Sequence, residues 1–186
     1  MEQKSLSSEI YSHPDKLLED HLVGVARFAG IFLAEKPKHI QDRIRSIVFL
    51  SAICHDLGKA TKFFQEYINS SDGVKFKTEY SQHSLLSAFM GLYEASKYLD
   101  KFDASLVFLA IKHHHGNLNY TVFDFNVNDN DIELLNTQIS SIDLEKFSTL
   151  IRNVNHSMFK LTLNIQEFAD WVQTDLKRYI RELKRL

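Results

Sequence analysis

Cys54-His55-Asp56-Leu57-Gly58-Lys59 closes an apolar helical run that opens near Gln41. Upstream of the histidine, Ile44, Ile47, Val48, Ser51, Ala52 and Cys54 recur at helical spacing. That periodicity predicts a helix over 41–57 whose buried side is broad, which makes it a central element. His55 and Asp56 then fall in its last turn. Gly58 is placed as the stop, where glycine tolerates the left-handed conformation. His55 offers a ring nitrogen, and Asp56 offers two carboxylate oxygens that can bridge two cations. Imidazole with carboxylate suits Mn, Fe, Co, Ni or Zn, with Mg on the oxygen-rich side. A helix-end pair that merely caps and forms an ion pair is spelled the same way, so the pair needs support from elsewhere in the chain.

Working outward, helices dominate. Leu18, Leu22, Val25, Ala26, Ala29 and Leu33 form one stripe and predict a first helix over 15–34, with His21 inside it and Pro37 ending it. A short aromatic helix follows the pair over 61–68. A polar connection over 69–79 contains Ser70-Ser71-Asp72-Gly73, a turn composition. Ser81 is expected to cap a helix over 82–99, with His83 in its first turn. A further helix over 104–114 ends in His113-His114-His115-Gly116. Residues 117–130 read as a loop, and 131–159 as one or two weaker helices. Ile165, Phe168, Ala169, Val172, Leu176 and Ile180 predict a last helix over 164–185.

The composition agrees with an all-α domain. The chain has 186 residues, a length that suits one domain (1–186) with a sizeable core. Only 6 glycines and 2 prolines leave few turn-formers, which favours long helices. One cysteine, Cys54, excludes an internal disulfide and is read as a small apolar filler. No apolar run approaches the ~20 residues that span a bilayer, and the polar first residues show no secretory signal, so a cytoplasmic protein is expected. The formal net charge of −2 gives no global attraction for nucleic acid. Binding to a polyanion must come from a local patch or from metal ions. Lys177, Arg178, Arg181, Lys184 and Arg185 form one basic end, read as a solvated face or as a contact for nucleic acid or a partner.

The remaining histidines supply the support. In chain order the candidate ligands are His21, His55, Asp56, His83, His114, His115 and Asp170, drawn from five predicted helices. Helical bundles build metal sites this way, with side chains from facing helices converging inward. Each histidine sits on or beside an apolar face, where an unsatisfied imidazole costs free energy that coordination removes. Adjacent histidines lie about 100° apart on a helix, but at a fraying end both can reach one site. His113 makes the run a triple, so the register of the His-His pair is open by one; Gly116 favours His114 and His115. His13 is read as a turn residue before Pro14, and His39 and His156 as surface.

This order of residues resembles the HD superfamily of metal-dependent phosphohydrolases. Within it, the chain is similar to the HD nuclease domain of the type I CRISPR interference helicase-nuclease. The stretches that carry the likeness are Ser12-His13-Pro14, Glu19-Asp20-His21-Leu22, His55-Asp56-Leu57-Gly58-Lys59, Gln82-His83-Ser84, His114-His115-Gly116 and Phe168-Ala169-Asp170-Trp171. Each is weak alone. Together, His-Asp-Leu-Gly-Lys with His-His-Gly and Ala-Asp-Trp separate this branch from the nucleotide-cleaving HD enzymes.

The resemblance implies an HD-type helical bundle with a buried two-metal site. Its ions would be divalent, Mn, Mg, Co, Ni or Fe. His21, His55, Asp56 and Asp170 would hold one, and Asp56, His83, His114 and His115 the other, with Asp56 bridging. Lys59 would contact the substrate phosphate or orient a ligand. The implied activity is hydrolysis of phosphodiester bonds in single-stranded DNA, with a helicase and a CRISPR surveillance complex as partners. The chain stops at Leu186 with no phosphate-binding Gly-Lys-Thr loop, so a stand-alone nuclease subunit or an excised domain is expected. Two other readings remain open: a nucleotide or cyclic-nucleotide phosphohydrolase, and a non-catalytic metal-binding domain that docks a helicase. Tyr120, Phe123 and Phe125 are candidates for stacking on bases, or for pinning their loop to the core.

Overall fold

The chain enters through a small antiparallel hairpin, β1 (Tyr11–His13) and β2 (Lys16–Leu17), which apolar periodicity does not announce. The computed structural model describes residues 7–70, 77–116, 125–155 and 160–185. The hairpin leads straight into α1 (Leu18–Ala34), whose Leu18, Leu22, Ala26 and Leu33 are buried as their spacing requires. Pro37 pre-sets the entry to α2 (Lys38–Cys54). A 3-10 turn, Leu57–Ala60, then runs into α3 (Lys62–Asn69), which Thr61 caps by accepting from the Phe64 amide. After a second 3-10 turn, Glu79–Ser81, come α4 (Ser84–Ala95) and α5 (Lys101–Lys112).

The remaining helices are α6 (Asp129–Ser140), α7 (Leu144–Val154), α8 (Ile165–Thr174) and α9 (Leu176–Leu183). Local side-chain caps open several of them. Asp100, Asn128, Asp143 and Asn164 each accept an amide hydrogen from the first turn of α5, α6, α7 and α8 respectively. The cap at Asp100 explains why α5 begins three residues before the expected 104.

The centre of the fold is α4. Leu86, Ser87, Ala88, Phe89, Met90, Gly91 and Leu92 are buried in succession. A helix enclosed on all sides needs neighbours on every face. Here α2, α5, the Leu57–Ala60 turn and α8 pack against it. The expectation that the helix before Asp56 is central therefore holds only for its end. Phe49, Leu50, Ala52, Ile53 and Cys54 are buried, while Ile44, Ile47 and Val48 are half-buried.

Three expected boundaries move for local reasons. The helix expected over 41–57 ends at Cys54, because Asp56 (φ −118°, ψ 8°) has left helical geometry. Ser81 does not cap α4. It closes a reciprocal capping box with Thr78 in the preceding turn, and His83 stands one residue before α4 begins. The single helix expected over 164–185 divides at Asp175 into α8 and α9. There the Thr174 hydroxyl lies 2.9 Å from the Asp170 carbonyl oxygen, four residues back, a contact that bends helices. The loops expected over 69–79 and 117–130 lie partly outside the described residues, as do Tyr120, Phe123 and His156. Among the described residues no helix is long and apolar enough to cross a membrane.

Close packing of α4 on α5 and α2 rests on Gly91. A Cβ there would stand 2.3 Å from Ile111 Cδ1 and 3.4 Å from Cys54 Cβ. Gly91→Ala is expected to lower stability by roughly 1–3 kcal/mol, the usual cost of overpacking. Adding Ile111→Val removes the colliding methyl, so the double variant should lose less in urea unfolding than the two single losses combined. Strict additivity would show that the two side chains do not meet.

Candidate metal centre

The last regular hydrogen bond of α2 runs from the His55 amide to Ser51 O (3.1 Å). The chain then turns tightly, and the Lys59 amide bonds Asp56 O at 2.9 Å. Asp56 thus leaves the helix frame directly after His55, and the two adjacent side chains face one point. The tightness of that turn explains Gly58. It adopts no left-handed conformation, contrary to the expectation of a helix stop. A Cβ on it would lie 2.5 Å from His83 O and 2.9 Å from Ser87 Oγ. Glycine is there so that the turn can press against the start of α4. Ser87 Oγ secures the contact by accepting from the Gly58 amide at 2.9 Å.

Asp56, only 2% exposed, lies at the centre. Its two oxygens face different partners. Oδ2 lies 2.9 Å from His21 Nε2, 3.3 Å from His55 Nε2 and 2.8 Å from Lys59 Nζ. Oδ1 lies 2.9 Å from His83 Nε2 and 3.3 Å from His114 Nε2. His115 Nε2 joins from the rim, 3.0 Å from His83 Nε2. Two sets of donors result, each gathered within 4.8 Å: His21, His55 and Asp56, and Asp56, His83, His114 and His115. His113 is in neither set.

The hydrogen bonding behind the rings decides what the cluster can hold. His55 Nδ1 lies 2.8 Å from Ala52 O, and His114 Nδ1 lies 2.6 Å from Ile111 O. A carbonyl oxygen only accepts, so both Nδ1 atoms carry hydrogen. In the neutral rings both Nε2 atoms are then bare lone pairs aimed at a carboxylate. Accordingly Asp56 Oδ1 and His114 Nε2 are both buried and without a hydrogen-bond partner, although they lie 3.3 Å apart. Lone pairs facing one another at that distance call for positive charge, supplied by a proton on the ring or by a bound metal ion. Backbone carbonyls behind the ligand rings are also how metal-binding histidines are held in tautomer and orientation. The donor set fits divalent ions, with imidazole and carboxylate around one shared anion.

Burial works against the Asp56 anion, but ring nitrogens that bring hydrogen to it, as those of His21 and His83 can, outweigh burial and hold the carboxyl far below the usual range. Burial lowers the pKa of His83. His115 is pushed down to about 4 by desolvation and by His114 and His83. Lys59 is 5% exposed. Its ammonium also lies 3.4 Å from Ser12 O and over the Phe64 ring at 5.3 Å.

Asp170 is not brought to the cluster. It is exposed on α8, about 200° around the helix from the buried Phe168. The stripe of Ile165, Phe168 and Val172 that anchors α8 turns position 170 outward. Phe125 is buried and stacked on Phe108 (5.5 Å), so it pins its segment to the core and offers no face to a base. At the basic end, Lys177 pairs with Asp129 and Arg178 with Asp175, which spends part of that charge locally. His39 is exposed, as expected.

His13 is the residue that sequence reasoning set aside. The structure places it, with His21, Val25, Ser51, His55, Asp56 and Lys59, on the wall of an open cleft of about 440 Å³ over the cluster. Its ring stands edge-on to His21, 5.6 Å between centroids, and desolvation, Lys59 and His21 lower its pKa. The Ser-His-Pro spelling marked a turn. The bend between β1 and β2 is what aims that turn at the cluster.

Helical architecture and a histidine-aspartate cluster of this kind define an HD-type, metal-dependent phosphohydrolase. Comparison of the sequence with protein families narrows the class. Residues 9–177 match the family described as "Cas3, HD domain", and the chain belongs to that family of CRISPR-associated HD nuclease domains. Neither a curated protein nor a solved structure matches the chain.

Protons and metal ions compete for the same imidazole lone pairs. Burial lowers the pKa of His83 and, together with His114 and His83, brings that of His115 to about 4, so the titration midpoints of both rings lie below the ordinary 6.5. Affinity for Mn, measured calorimetrically, should be level near neutrality and fall as the pH drops below about 6. Undiminished affinity at pH 5 would exclude the histidine cluster as the binding site.

Proposed function

We propose that the chain is a metal-dependent endonuclease that cuts single-stranded DNA in type I CRISPR interference. The observation that carries this reading is the shared Asp56 carboxylate, with one oxygen turned to each group of imidazoles. His21, His55 and Asp56 would hold one divalent ion, and Asp56, His83, His114 and His115 a second. Bound there, such ions supply positive charge that activates water and neutralises a phosphodiester.

The chain's own residues do the rest. Ala52 O and Ile111 O fix the ring orientations of His55 and His114. Lys59 lines the cleft with a positive charge beside Asp56 Oδ2, where it can meet the phosphate as negative charge grows on it. Asp170 has no part in this ligand set. The cleft is sunk between helices, so its substrate must lay one phosphate into a recess. A flexible single strand does that readily, whereas a duplex is stiff over roughly 150 base pairs. Contacts of this kind read the backbone and carry little base preference. A helicase that delivers the strand, and a surveillance complex that recruits the nuclease in the cytoplasm, complete the reading.

Circular single-stranded DNA is the substrate that tests it, incubated with chelator-stripped protein and Mg, Mn, Co, Ni or Fe in turn. Metal-dependent cutting is expected. Asp56→Asn should lower it by more than the roughly 10–100-fold that loss of an outer-shell partner costs. Asp56→Asn would leave Lys59 buried without its counter-ion, a destabilisation of about 3–5 kcal/mol by the usual cost of breaking a buried pair. Rates must therefore be normalised to folded protein. Turnover of mononucleotides or cyclic nucleotides with no cut circles would replace this reading with a small-molecule phosphohydrolase.

A further inference from the structure

His13 belongs to neither donor set, yet it stands on the wall of the same cleft. Its immediate hydrogen bonds settle which of its nitrogens carries hydrogen. Ser12, 1% exposed, directs its hydroxyl to Lys16 O at 3.2 Å. That carbonyl only accepts, so it takes the single hydrogen of Ser12 Oγ. Ser12 Oγ also lies 3.1 Å from His13 Nδ1, and toward that atom it can act only as an acceptor. Nδ1 therefore carries the ring hydrogen, and Nε2 is a bare acceptor. The device is the one that fixes His55 and His114, with a hydroxyl oxygen in place of a carbonyl. The platform is rigid, because Gln65 ties β1 to the catalytic turn. Its Oε1 accepts from the Tyr11 amide at 3.0 Å, and its Nε2 lies 2.8 Å from both Tyr11 O and Lys59 O.

We infer that His13 is a further catalytic residue, whose Nε2 accepts a hydrogen bond from the attacking water and orients it toward the phosphate. The inference rests on the nuclease reading above. Position supports it: His13 is in neither donor set, yet its ring stands beside His21 on the wall of the cleft that holds the cluster. In the reaction the water oxygen forms a bond to phosphorus and the bond from phosphorus to the sugar oxygen breaks. One water proton reaches the departing sugar oxygen by way of solvent, and the other stays on or leaves the new phosphate. His13 changes neither the bonds made nor the products; it holds the water's lone pair in line.

Two measurements test this on the full chain. Long-range proton–nitrogen NMR of the metal-free protein at neutral pH, with His13→Asn to assign the ring, should show hydrogen on Nδ1. Hydrogen on Nε2 would overturn the inference. Kinetics on single-stranded DNA with Mn come second. His13→Ala is expected to lower kcat by roughly 10–100-fold, the scale of a lost outer-shell contact, with KM and bound Mn unchanged. His13→Gln, whose amide oxygen reaches the place of Nε2, should recover part of the loss. Full activity in His13→Ala, with Asp56→Ala inactive, overturns the role of His13 and leaves the nuclease reading standing. Loss of bound Mn in His13→Ala overturns it too, because the residue would then be a ligand. Wild-type protein that cuts nothing while binding Mn overturns the nuclease reading itself, and this inference falls with it.

Discussion

A single buried carboxylate ringed by imidazole nitrogens is the constraint on which the rest of this structure depends. Asp56 is taken out of water, which is costly for an anion unless positive charge comes with it. Lys59 brings one such charge, three residues along the same turn. The rings of His55 and His114 cannot help as neutral imidazoles, because their hydrogens are committed to carbonyls behind them. The cluster is thus a place where the fold gathers electron pairs and leaves the balance to cations.

Much of the packing makes sense as support for that arrangement. The Leu57–Ala60 turn is wholly buried against α4, and Gly58 lets it approach His83 and Ser87 as closely as backbone allows. The approach brings Asp56, at the end of one helix, to His83, at the start of another. Gln138, 1% exposed on α6, donates to Tyr80 O and Gln82 O and holds the strand of chain that delivers His83. Gln65 does the corresponding work between β1 and the turn. These amides coordinate nothing, but each satisfies backbone groups that would otherwise be free beside the cluster.

The peripheral elements are fastened by buried polar groups of their own. Glu94, fully buried in α4, accepts from the Thr162 amide and pairs with Lys97 at 3.0 Å, which fixes the segment leading into α8. Asp103 takes a two-pronged contact from Arg43 at 2.5 and 2.7 Å and locks α5 to α2. Glu19 accepts from the Ser8 amide and from Asn153, joining the N-terminal segment and α7 to α1. Each buried carboxylate sits where elements distant in sequence meet.

Local patterns determined much about this protein. The 3.6-residue periodicity set out the helices, and the chemistry of His-Asp, with histidines spaced along apolar faces, pointed to a metal centre, because those signals depend on a few neighbouring residues. Side-chain caps and the bend at Asp175 were also written locally, in Asp100 and Thr174, but shifted boundaries that periodicity alone drew elsewhere. Tertiary structure decided what depends on the relative placement of elements. It turned Asp170 outward, because the stripe that anchors α8 is buried on the opposite side. It gave Gly58 its reason in close approach instead of backbone handedness, since the obstacle, His83 O, lies 25 residues away in sequence. It drew His13 to the cleft through a two-stranded hairpin too short to leave a periodic signal. Sequence names the donors, but the direction of each lone pair depends on which carbonyl or hydroxyl stands behind the ring, and only the folded chain supplies that.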